Sequence, residues 1–227
     1  MPDESIWAEY APPYTRMLVE AAKDPHKRQT GWMTRIHPTV MPGDRILLPL
    51  YSDGFNFSLV AISDDNGEHW RPSLPIVGLG PTQPSIVHKK DGTLVAYLRD
   101  EGDAPYRVLM STSGDDGLTW SNAVDTNIPN PSSSLEVIKL RDGRWVMVYN
   151  DTEDGRHSLA AALSDDEGAT WKWKRHLGRS KKGEKSFAYP SLIQSRDDRL
   201  QLTYSYKEHD KKTIKHVSFD AGWIMQD

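Results

Sequence analysis

The stretch S-G-D-D-G-L-T-W at residues 113–120 decides the fold, because the chain repeats it on both sides. S-D-D-N-G-E-H-W occurs at 63–70 and S-D-D-E-G-A-T-W at 164–171, so the copies start 50 and 51 residues apart. Each copy has Ser first, Asp third, Gly fifth and Trp eighth. A fixed period of this size is typical of an array of equal structural units. The sequence therefore predicts a repeat protein.

Each repeat contains a predicted four-stranded meander, with three β-strands before its Trp segment. Around the central copy these strands are predicted at Gln83–Lys90, Thr93–Arg99 and Tyr106–Ser113, with the turn Asp91-Gly92 between the first two. Asx-Gly turns between β-rich runs are strong hairpin signals. The next repeat has the same layout, with predicted strands at Leu135–Leu140, Arg144–Asn150 and His157–Ser164.

Four-stranded units repeated in this way are typical of a β-propeller, so the predicted fold class is all-β, with about four propeller blades in this chain. Residues 1–32 are predicted to form an N-terminal segment that leads into the first blade, and residues 33–227 to form the propeller. The N-terminal segment has Met17, Leu18, Ala21 and Ala22 at helical spacing, which predicts a short helix over Thr15–Lys23. The predicted blades cover about 37–80, 83–128, 134–180 and 189–224.

Composition excludes several classes of function. The 28 basic and 32 acidic residues are interspersed and give a net charge of −4, so no nucleic-acid partner is expected. The absence of cysteine excludes disulfides, thiol catalysis and Cys-ligated zinc. No apolar run approaches a membrane span, and neither a metal nor a cofactor is expected. The N-terminus M-P-D-E-S lacks a secretion signal, which predicts a cytoplasmic protein if Met1 is the true start and otherwise leaves the location open.

The repeated acidic element is predicted to be structural rather than catalytic. It lies between the third and fourth strands of a blade, where a hairpin turn is needed. Asp can hydrogen-bond the turn backbone, Gly supplies a positive φ, and Trp can anchor the turn on the blade. Asp65, Asp115 and Asp166 are therefore expected to stabilise turns.

These elements resemble the Asp boxes of the sialidase (neuraminidase) superfamily, and the resemblance covers about residues 31–224. It implies a six-bladed sialidase-type propeller, of which this chain would hold about four blades. Members of the superfamily use a Tyr nucleophile and a triad of arginines. The chain is especially similar to the bacterial BNR-repeat sialidase-like proteins in the segments Gln-Pro-Ser at 83–85, Leu-Arg-Asp at 98–100, Val-Tyr-Asn-Asp at 148–151 and Tyr-Pro-Ser at 189–191.

The resemblance implies particular site residues. Sialidases begin one inner strand with Glu and end the next strand with a carboxylate-binding Arg sixteen residues later, and here those places hold Gln83 and Arg99. A further family Arg precedes an Asp box, as Arg156 does. The nucleophilic Tyr heads an inner strand late in the propeller, as Tyr189 does. The resemblance therefore implies Tyr189 as the nucleophile and the two arginines as ligands of a substrate carboxylate.

The register of the blades adds further candidates. Counting eight residues back from the turn residues Asp91, Asp142 and Asp197 gives Gln83, Ser134 and Tyr189, all expected to open onto the central channel. Because side chains alternate along a strand, Glu136 shares a face with Ser134 and is the candidate base in place of Gln83. The other candidates are Arg35, in a segment similar to the family's early Arg-Ile-Pro motif, His37, at the head of the first blade, and Asp100 and Asp151, the candidate acids at the ends of their strands.

A Tyr with several Arg suits an acidic sugar. The anomeric carbon of a sialic acid bears a carboxylate, which repels a charged nucleophile but not a neutral phenol, and the fork of an arginine binds that carboxylate. The predicted function is a sialidase-like glycoside hydrolase of the exo-α-sialidase type, which removes a terminal acidic sugar from glycans by a retaining mechanism. Two alternatives stay open. One is a non-catalytic carbohydrate-binding propeller or truncated inactive homologue, and the other is a hydrolase of another acidic sugar.

The predicted number of blades is lower than the family's six. Either the chain is the C-terminal two-thirds of a six-bladed protein, which we favour, or it is a short propeller completed by oligomerisation. A four-blade section of a six-blade ring leaves blade edges open to water. The sequence therefore predicts self-association through these edges.

Overall fold

The computed structural model describes residues 15–226, and its helices are short. Residues 15–23 form helix α1, followed by α2 (Pro25–Gln29) and, near the C-terminus, α3 (Ala221–Ile224). Asp24 caps α2 by accepting a hydrogen bond from the His26 backbone N–H (2.9 Å), and Asp220 caps α3 through the Trp223 N–H (2.8 Å). No helix among residues 15–226 is both long and apolar enough to cross a membrane.

β-Strands are the main regular secondary structure of the described residues. The strands are β1 (Thr39–Val40), β2 (Ile46–Ser52), β3 (Phe57–Ser63), β4 (Arg71–Pro72), β5 (Pro81–His88), β6 (Leu94–Asp100), β7 (Arg107–Ser113), β8 (Val124–Pro129), β9 (Glu136–Lys139), β10 (Trp145–Asn150), β11 (Ser158–Ser164), β12 (Trp173–Arg179), β13 (Lys185–Gln194), β14 (Leu200–Glu208) and β15 (Lys211–Phe219).

These strands form four successive antiparallel meanders. The sheet orders are β1-β2-β3-β4, β5-β6-β7-β8, β9-β10-β11-β12 and β13-β14-β15, so within each sheet every strand pairs with its neighbours in the chain. The six strands predicted around the second and third repeats are confirmed, each to within two residues at either end. The last sheet has three strands instead of four, because the chain enters α3 directly after β15 with no box motif between them. The predicted blade limits and the boundary after residue 32 stay predictions, and residues 1–14 lie outside the described part of the chain.

The predicted Asx-Gly turns close the inner hairpins. Gly92 and Gly143 have φ values of +90° and +91°, which a residue with a side chain adopts only with strain. At the first of these turns the Lys89 N–H donates to the Thr93 carbonyl (2.8 Å), and the Asp91 carboxylate accepts from the Thr93 N–H (2.9 Å). The sequence signal and the backbone requirement therefore coincide.

The repeated Ser-Asp-Gly-Trp element forms a hydrogen-bonded turn. In the copy at 113–120, the Ser113 hydroxyl donates to Asp115 Oδ1 (2.8 Å) and accepts from the Gly117 N–H (3.0 Å). Asp115 also accepts from the Thr119 N–H (2.9 Å), and Trp120 Nε1 donates to the Gly117 carbonyl (3.1 Å). The Ser–Asp and Ser–Gly bonds recur in the copies at 63–70 and 164–171. The prediction that these aspartates stabilise turns is confirmed.

The described residues fall into two compact units, residues 15–104 with 109–126, and residues 105–108 with 127–226. Each has its own apolar core. The first core includes Leu47, Val60, Ile62, Leu94 and Leu98. In the second, β10 and β11 are buried on both faces, and its core includes Val146, Leu159, Phe187, Leu192 and Leu202.

Candidate active site

The backbone turns outward at Tyr189. The pairing of β13 with β14 is interrupted between Ala188 and Ser191, and Tyr189 itself has a φ of +54°. A bulge of this kind leaves residues outside the hydrogen-bonded ladder and re-aims their side chains. Tyr189 is 40% exposed, although Ala188 and Phe187 beside it are buried. The fold therefore presents this tyrosine to solvent from a bulge within β13.

Gln83 has the same local backbone in the second sheet. The pairing of β5 with β6 is interrupted between Thr82 and Ser85, and Gln83 has a φ of +52°. A proline follows it, as one follows Tyr189. Gln83 differs in being only 4% exposed. The sequence register that aligned the two residues agrees with their backbone conformations.

In the third sheet the corresponding conformation belongs to Ser132, not to Ser134. Ser132 has a φ of +52° and precedes Ser134 by the same two residues that separate Gln83 from Ser85 and Tyr189 from Ser191. Counting back from the turn failed here because this inner segment has two more residues before Asp142. Glu136 begins β9, four residues after Ser132.

Arg156 and Tyr189 lie in contact. The guanidinium carbon of Arg156 is 5.3 Å from the centroid of the Tyr189 ring, within the range of a cation–π interaction. The Arg156 Nη2 donates a hydrogen bond to the Ser132 carbonyl (3.0 Å), and the Arg156 carbonyl accepts one from the Phe187 N–H (2.7 Å). The structure thus brings together two predicted site residues and adds Ser132, which no sequence signal marked.

Glu136 is a buried carboxylate beside the strand that carries Tyr189. It lies at the start of β9 and is fully buried, and its Oε2 accepts a hydrogen bond from the Leu192 N–H at 2.6 Å. Leu192 follows Tyr189 by three residues on β13. Such a charge-assisted bond fixes the orientation of a carboxylate. Glu136 is therefore held next to the segment that bears the candidate nucleophile.

Arg99 and Asp100 lie at the end of β6, in the first unit. Arg99 is the cross-strand partner of Thr82, the residue before Gln83. It forms an ion pair with Glu101. Asp100 is buried and accepts a hydrogen bond from the Gly102 N–H at 2.7 Å. The carboxyl group of Asp100 thus helps to close the β6–β7 loop.

Arg35 and His37 precede the first sheet in the same unit. Arg35 is half-buried and His37 is exposed. Two residues after His37, the hydroxyl of Thr39 donates to the carbonyl of Ile86 on β5 (3.1 Å), the strand that begins near Gln83. This bond places the segment of His37 against the second sheet.

Asp151 lies in a cluster of ionisable groups. Its Oδ2 is 2.8 Å from His176 Nε2 and 2.9 Å from Lys174 Nζ, and the Tyr149 hydroxyl is 3.4 Å from Oδ1. Burial by itself raises the pKa of Asp151, but hydrogen bonds and charge from Lys174 and His176 outweigh it and lower that pKa. Burial, followed by the Asp151 charge, raises the pKa of Tyr149. Asp151 is therefore ionised at neutral pH and poorly suited to donate a proton.

The described residues offer no cluster of metal ligands. Among residues 15–226, no group of three or more His, Cys, Asp or Glu side chains is arranged to hold a metal ion. A cavity of about 440 Å³ in the first unit has a mainly apolar lining that includes Trp32, Phe55 and Phe57. It contains none of the predicted site residues.

Four successive meanders, three of which carry an Asp box between their third and fourth strands, are typical of a propeller protein of the sialidase class. The chain belongs to the BNR repeat-like domain family, whose sequence model matches residues 25–202.

Curated relatives with sequence similarity are named sialidases. The chain is 30% identical to a sialidase of Paraclostridium sordellii over 128 residues, which is 48% of this chain and 30% of that protein. It is 25% identical to an anhydrosialidase of Macrobdella decora over 193 residues, which is 76% of this chain and 24% of that protein. The chain thus spans about a quarter to a third of the length of these relatives.

Solved structures show the same fold. The intramolecular trans-sialidase of Ruminococcus gnavus, in complex with oseltamivir carboxylate, superimposes with a TM-score of 0.66 at 22% identity, covering 81% of this chain and 42% of that one. A protein of unknown function from Dyadobacter fermentans superimposes with a TM-score of 0.65 at 17% identity, covering 82% and 53%. The predicted fold class, an all-β propeller of the sialidase type with about four blades in this chain, is confirmed.

Proposed function

We propose that the protein is a sialidase-like glycoside hydrolase of the exo-α-sialidase type, which removes a terminal acidic sugar from a glycan with Tyr189 as the nucleophile. The observation that carries the proposal is the Arg156 guanidinium over the exposed Tyr189 ring at 5.3 Å. A cation and a phenol in one open site match a substrate whose reacting carbon bears a carboxylate. The complex of the Ruminococcus gnavus relative with oseltamivir carboxylate is consistent with this choice of ligand.

In the proposed reaction, the phenol oxygen of Tyr189 attacks the anomeric carbon and the glycosidic C–O bond breaks. The leaving alcohol takes a proton from the general acid, for which Asp100 is the proposed residue, and water then hydrolyses the tyrosyl glycoside, so the configuration is retained. Arg156 would bind the sugar carboxylate through guanidinium N–H groups. An arginine has five such donors, and the bond to Ser132 uses one of them.

Glu136 is the proposed base that receives the phenol proton. Its carboxylate is buried and oriented by the Leu192 N–H, three residues from Tyr189 on the same strand. Gln83 holds the place where the family has Glu, and an amide cannot accept that proton. Arg99, Arg35 and His37 stay proposed substrate contacts, and Asp100 stays a proposed acid. The ionised state of Asp151 makes it the weaker candidate for proton donation.

A non-catalytic carbohydrate-binding propeller is the second candidate. Gln83 favours it, because it stands where the resemblance places a Glu, and its amide cannot accept a proton as a carboxylate can. The same arginines could then hold an acidic sugar without turnover. A hydrolase of another acidic sugar, such as a uronic acid, is the third, since an arginine recognises a carboxylate without specifying the ring that bears it.

The test is release of 4-methylumbelliferone from its sialic acid glycoside and from its glucuronide by the purified chain. Tyr189→Phe removes only the attacking hydroxyl, so turnover should fall to the background rate. Tyr204→Phe is the matched control, because it makes the same change in the buried core of the same sheet and should leave turnover intact.

Each outcome separates the candidates. Turnover of the sialoside alone supports the exo-sialidase, and turnover of the glucuronide alone supports the uronic acid hydrolase. A Tyr189→Phe variant that hydrolyses at the wild-type rate contradicts the tyrosine nucleophile. If neither substrate is cleaved, calorimetric titration with sialic acid, repeated with Arg156→Ala, tests the binding propeller.

A further inference from the structure

Asn150 is fully buried, and its side-chain amide forms hydrogen bonds to three chain segments that lie beside the Arg156–Tyr189 contact. Its Nδ2 donates to the Ser158 carbonyl (3.1 Å) and to the Phe187 carbonyl (3.0 Å). Its Oδ1 accepts from the Ser133 hydroxyl (2.8 Å). Both N–H groups and the oxygen of the Asn150 amide therefore have hydrogen-bond partners within the protein.

These three partners are close in sequence to the residues of the site. Ser133 adjoins Ser132, whose carbonyl accepts from Arg156. Ser158 follows Arg156 by two residues, and Phe187 precedes Tyr189 by two residues. One amide thus sets the spacing of the carbonyl that holds the arginine, of the segment that bears the arginine, and of the strand that bears the tyrosine.

A second buried amide, that of Asn130, holds the backbone of Ser133, the residue whose hydroxyl bonds to Asn150. Asn130 is fully buried, its Oδ1 accepts from the Ser133 N–H (3.0 Å), and its Nδ2 donates to the Ser133 carbonyl (2.9 Å). Ser133 is therefore held through its backbone by one asparagine and through its side chain by the other. Buried hydrogen bonds of this kind favour one arrangement of the groups that they connect.

We propose that Asn150 is a positioning residue that sets the geometry of the Arg156–Tyr189 pair. The inference rests on the proposed function for its effect on hydrolysis, but its effect on the geometry of the pair is independent of turnover. Displacement of a catalytic group by about 1 Å can cost roughly 100-fold in rate. An amide that contacts no substrate can therefore control turnover.

Two variants test the proposal at different strengths. Asn150→Asp keeps the side-chain shape and the acceptor for Ser133, but it replaces the two N–H donors with an oxygen that repels the carbonyls of Ser158 and Phe187. Ser133→Ala removes only the hydroxyl that Asn150 accepts from, and it serves if Asn150→Asp folds poorly. Ser164→Ala is the matched control, because Ser164 is also fully buried in this unit but bonds to the turn of its own Asp box.

The first readout is kcat/KM on the fluorogenic glycoside that the wild type hydrolyses, at a temperature where thermal denaturation shows each variant to be folded. Asn150→Asp should lower kcat/KM by about 10- to 100-fold and Ser133→Ala by a smaller factor. Ser164→Ala should lower the unfolding temperature but leave kcat/KM unchanged. Equal kcat/KM in the folded Asn150→Asp variant and the wild type would overturn the proposal.

The second readout needs no turnover. In protein labelled with ¹³Cζ-tyrosine, the resonance that disappears in Tyr189→Phe identifies Tyr189. Its chemical shift should move in Asn150→Asp and Ser133→Ala, because the guanidinium over the ring is displaced, and it should stay in place in Ser164→Ala. An unmoved Tyr189 resonance in folded Asn150→Asp refutes the positioning role. A moved resonance in a protein without hydrolysis keeps the positioning role and refutes only the hydrolase.

Discussion

Gly178 packs against the aromatic ring that precedes the candidate nucleophile, and its replacement by alanine is expected to destabilise the protein. A Cβ at Gly178 would lie 2.6 Å from Phe187 Cε1 and 2.7 Å from Cζ. Phe187 has little room to move, because it is 3% exposed and its ring contacts Tyr204 and Tyr206 at centroid distances of 6.2 and 5.7 Å. An added methyl group in a packed core typically costs about 1–3 kcal/mol. We expect Gly178→Ala to lose stability within that range.

The assay is urea denaturation followed by tryptophan fluorescence, with thermal unfolding as a second measure. For a chain of this size each kcal/mol lowers the unfolding temperature by roughly 2–4 °C. Gly114→Ala is the control, because a Cβ there meets no atom within 4 Å and the other two boxes carry Asp at the same place. It should be unchanged or more stable by up to about 1 kcal/mol, as the unfolded chain loses freedom. Equal stability of the two variants would refute the packing argument.

Two further predictions concern pH and association. Hydrogen bonds from His69 and from Thr170 hold the pKa of Asp65 and of Asp166 at about 2, below the ordinary value of 3.8. Both carboxylates therefore stabilise the fold above about pH 4 and lose that contribution as the pH falls through 2. When the unfolding temperature is measured from about pH 4 down to about pH 2, it should drop less in Asp166→Asn than in the wild type. We also expect the purified chain to self-associate through open blade edges, so light scattering after gel filtration should give a mass that rises with protein concentration. A constant monomer mass would contradict this prediction.

Local sequence signals were sufficient for the strands and turns. The Asp91-Gly92 turn could be predicted because a short aspartate and a glycine with positive φ suit few other conformations. The Asp boxes could be predicted because each hydrogen bond in them joins residues at most four apart. Signals of this kind lie within one short stretch of sequence and need no knowledge of tertiary contacts.

Contacts between distant segments were not accessible in the same way. The pairing of Arg99 with Glu101 depends on how the chain turns at the end of β6, where the carboxylate of Asp100 accepts from the Gly102 N–H. The partners of Asp151 are Lys174 and His176, which lie on the far strand of the sheet and belong to no motif. Asn150 was part of a family-like segment, but its three partners come from three separate segments. The sequence thus indicated site residues through family resemblance, and only the fold shows what holds them in place.

The bulge at Tyr189 stores backbone strain at the candidate nucleophile. A residue with a side chain adopts its φ of +54° at a cost of about 1–2 kcal/mol, which glycine avoids. At an ordinary strand position the preference is reversed, and a protein with glycine there is about 0.5–1 kcal/mol less stable than one with alanine.

We therefore expect Tyr189→Gly to be more stable than Tyr189→Ala by about 1 kcal/mol, since both variants lose the ring and only the alanine keeps the strain. Ile193 supplies the matched comparison, because it is an exposed residue in the extended part of the same strand, β13. There the glycine variant should be the less stable of the pair in the same urea denaturation. If the glycine variant is less stable than the alanine variant at 189 as well as at 193, the bulge carries no strain. The side chain of Tyr189 would then be presented at no cost to the fold, and the repeated positive φ at Gln83 and Ser132 would need another cause.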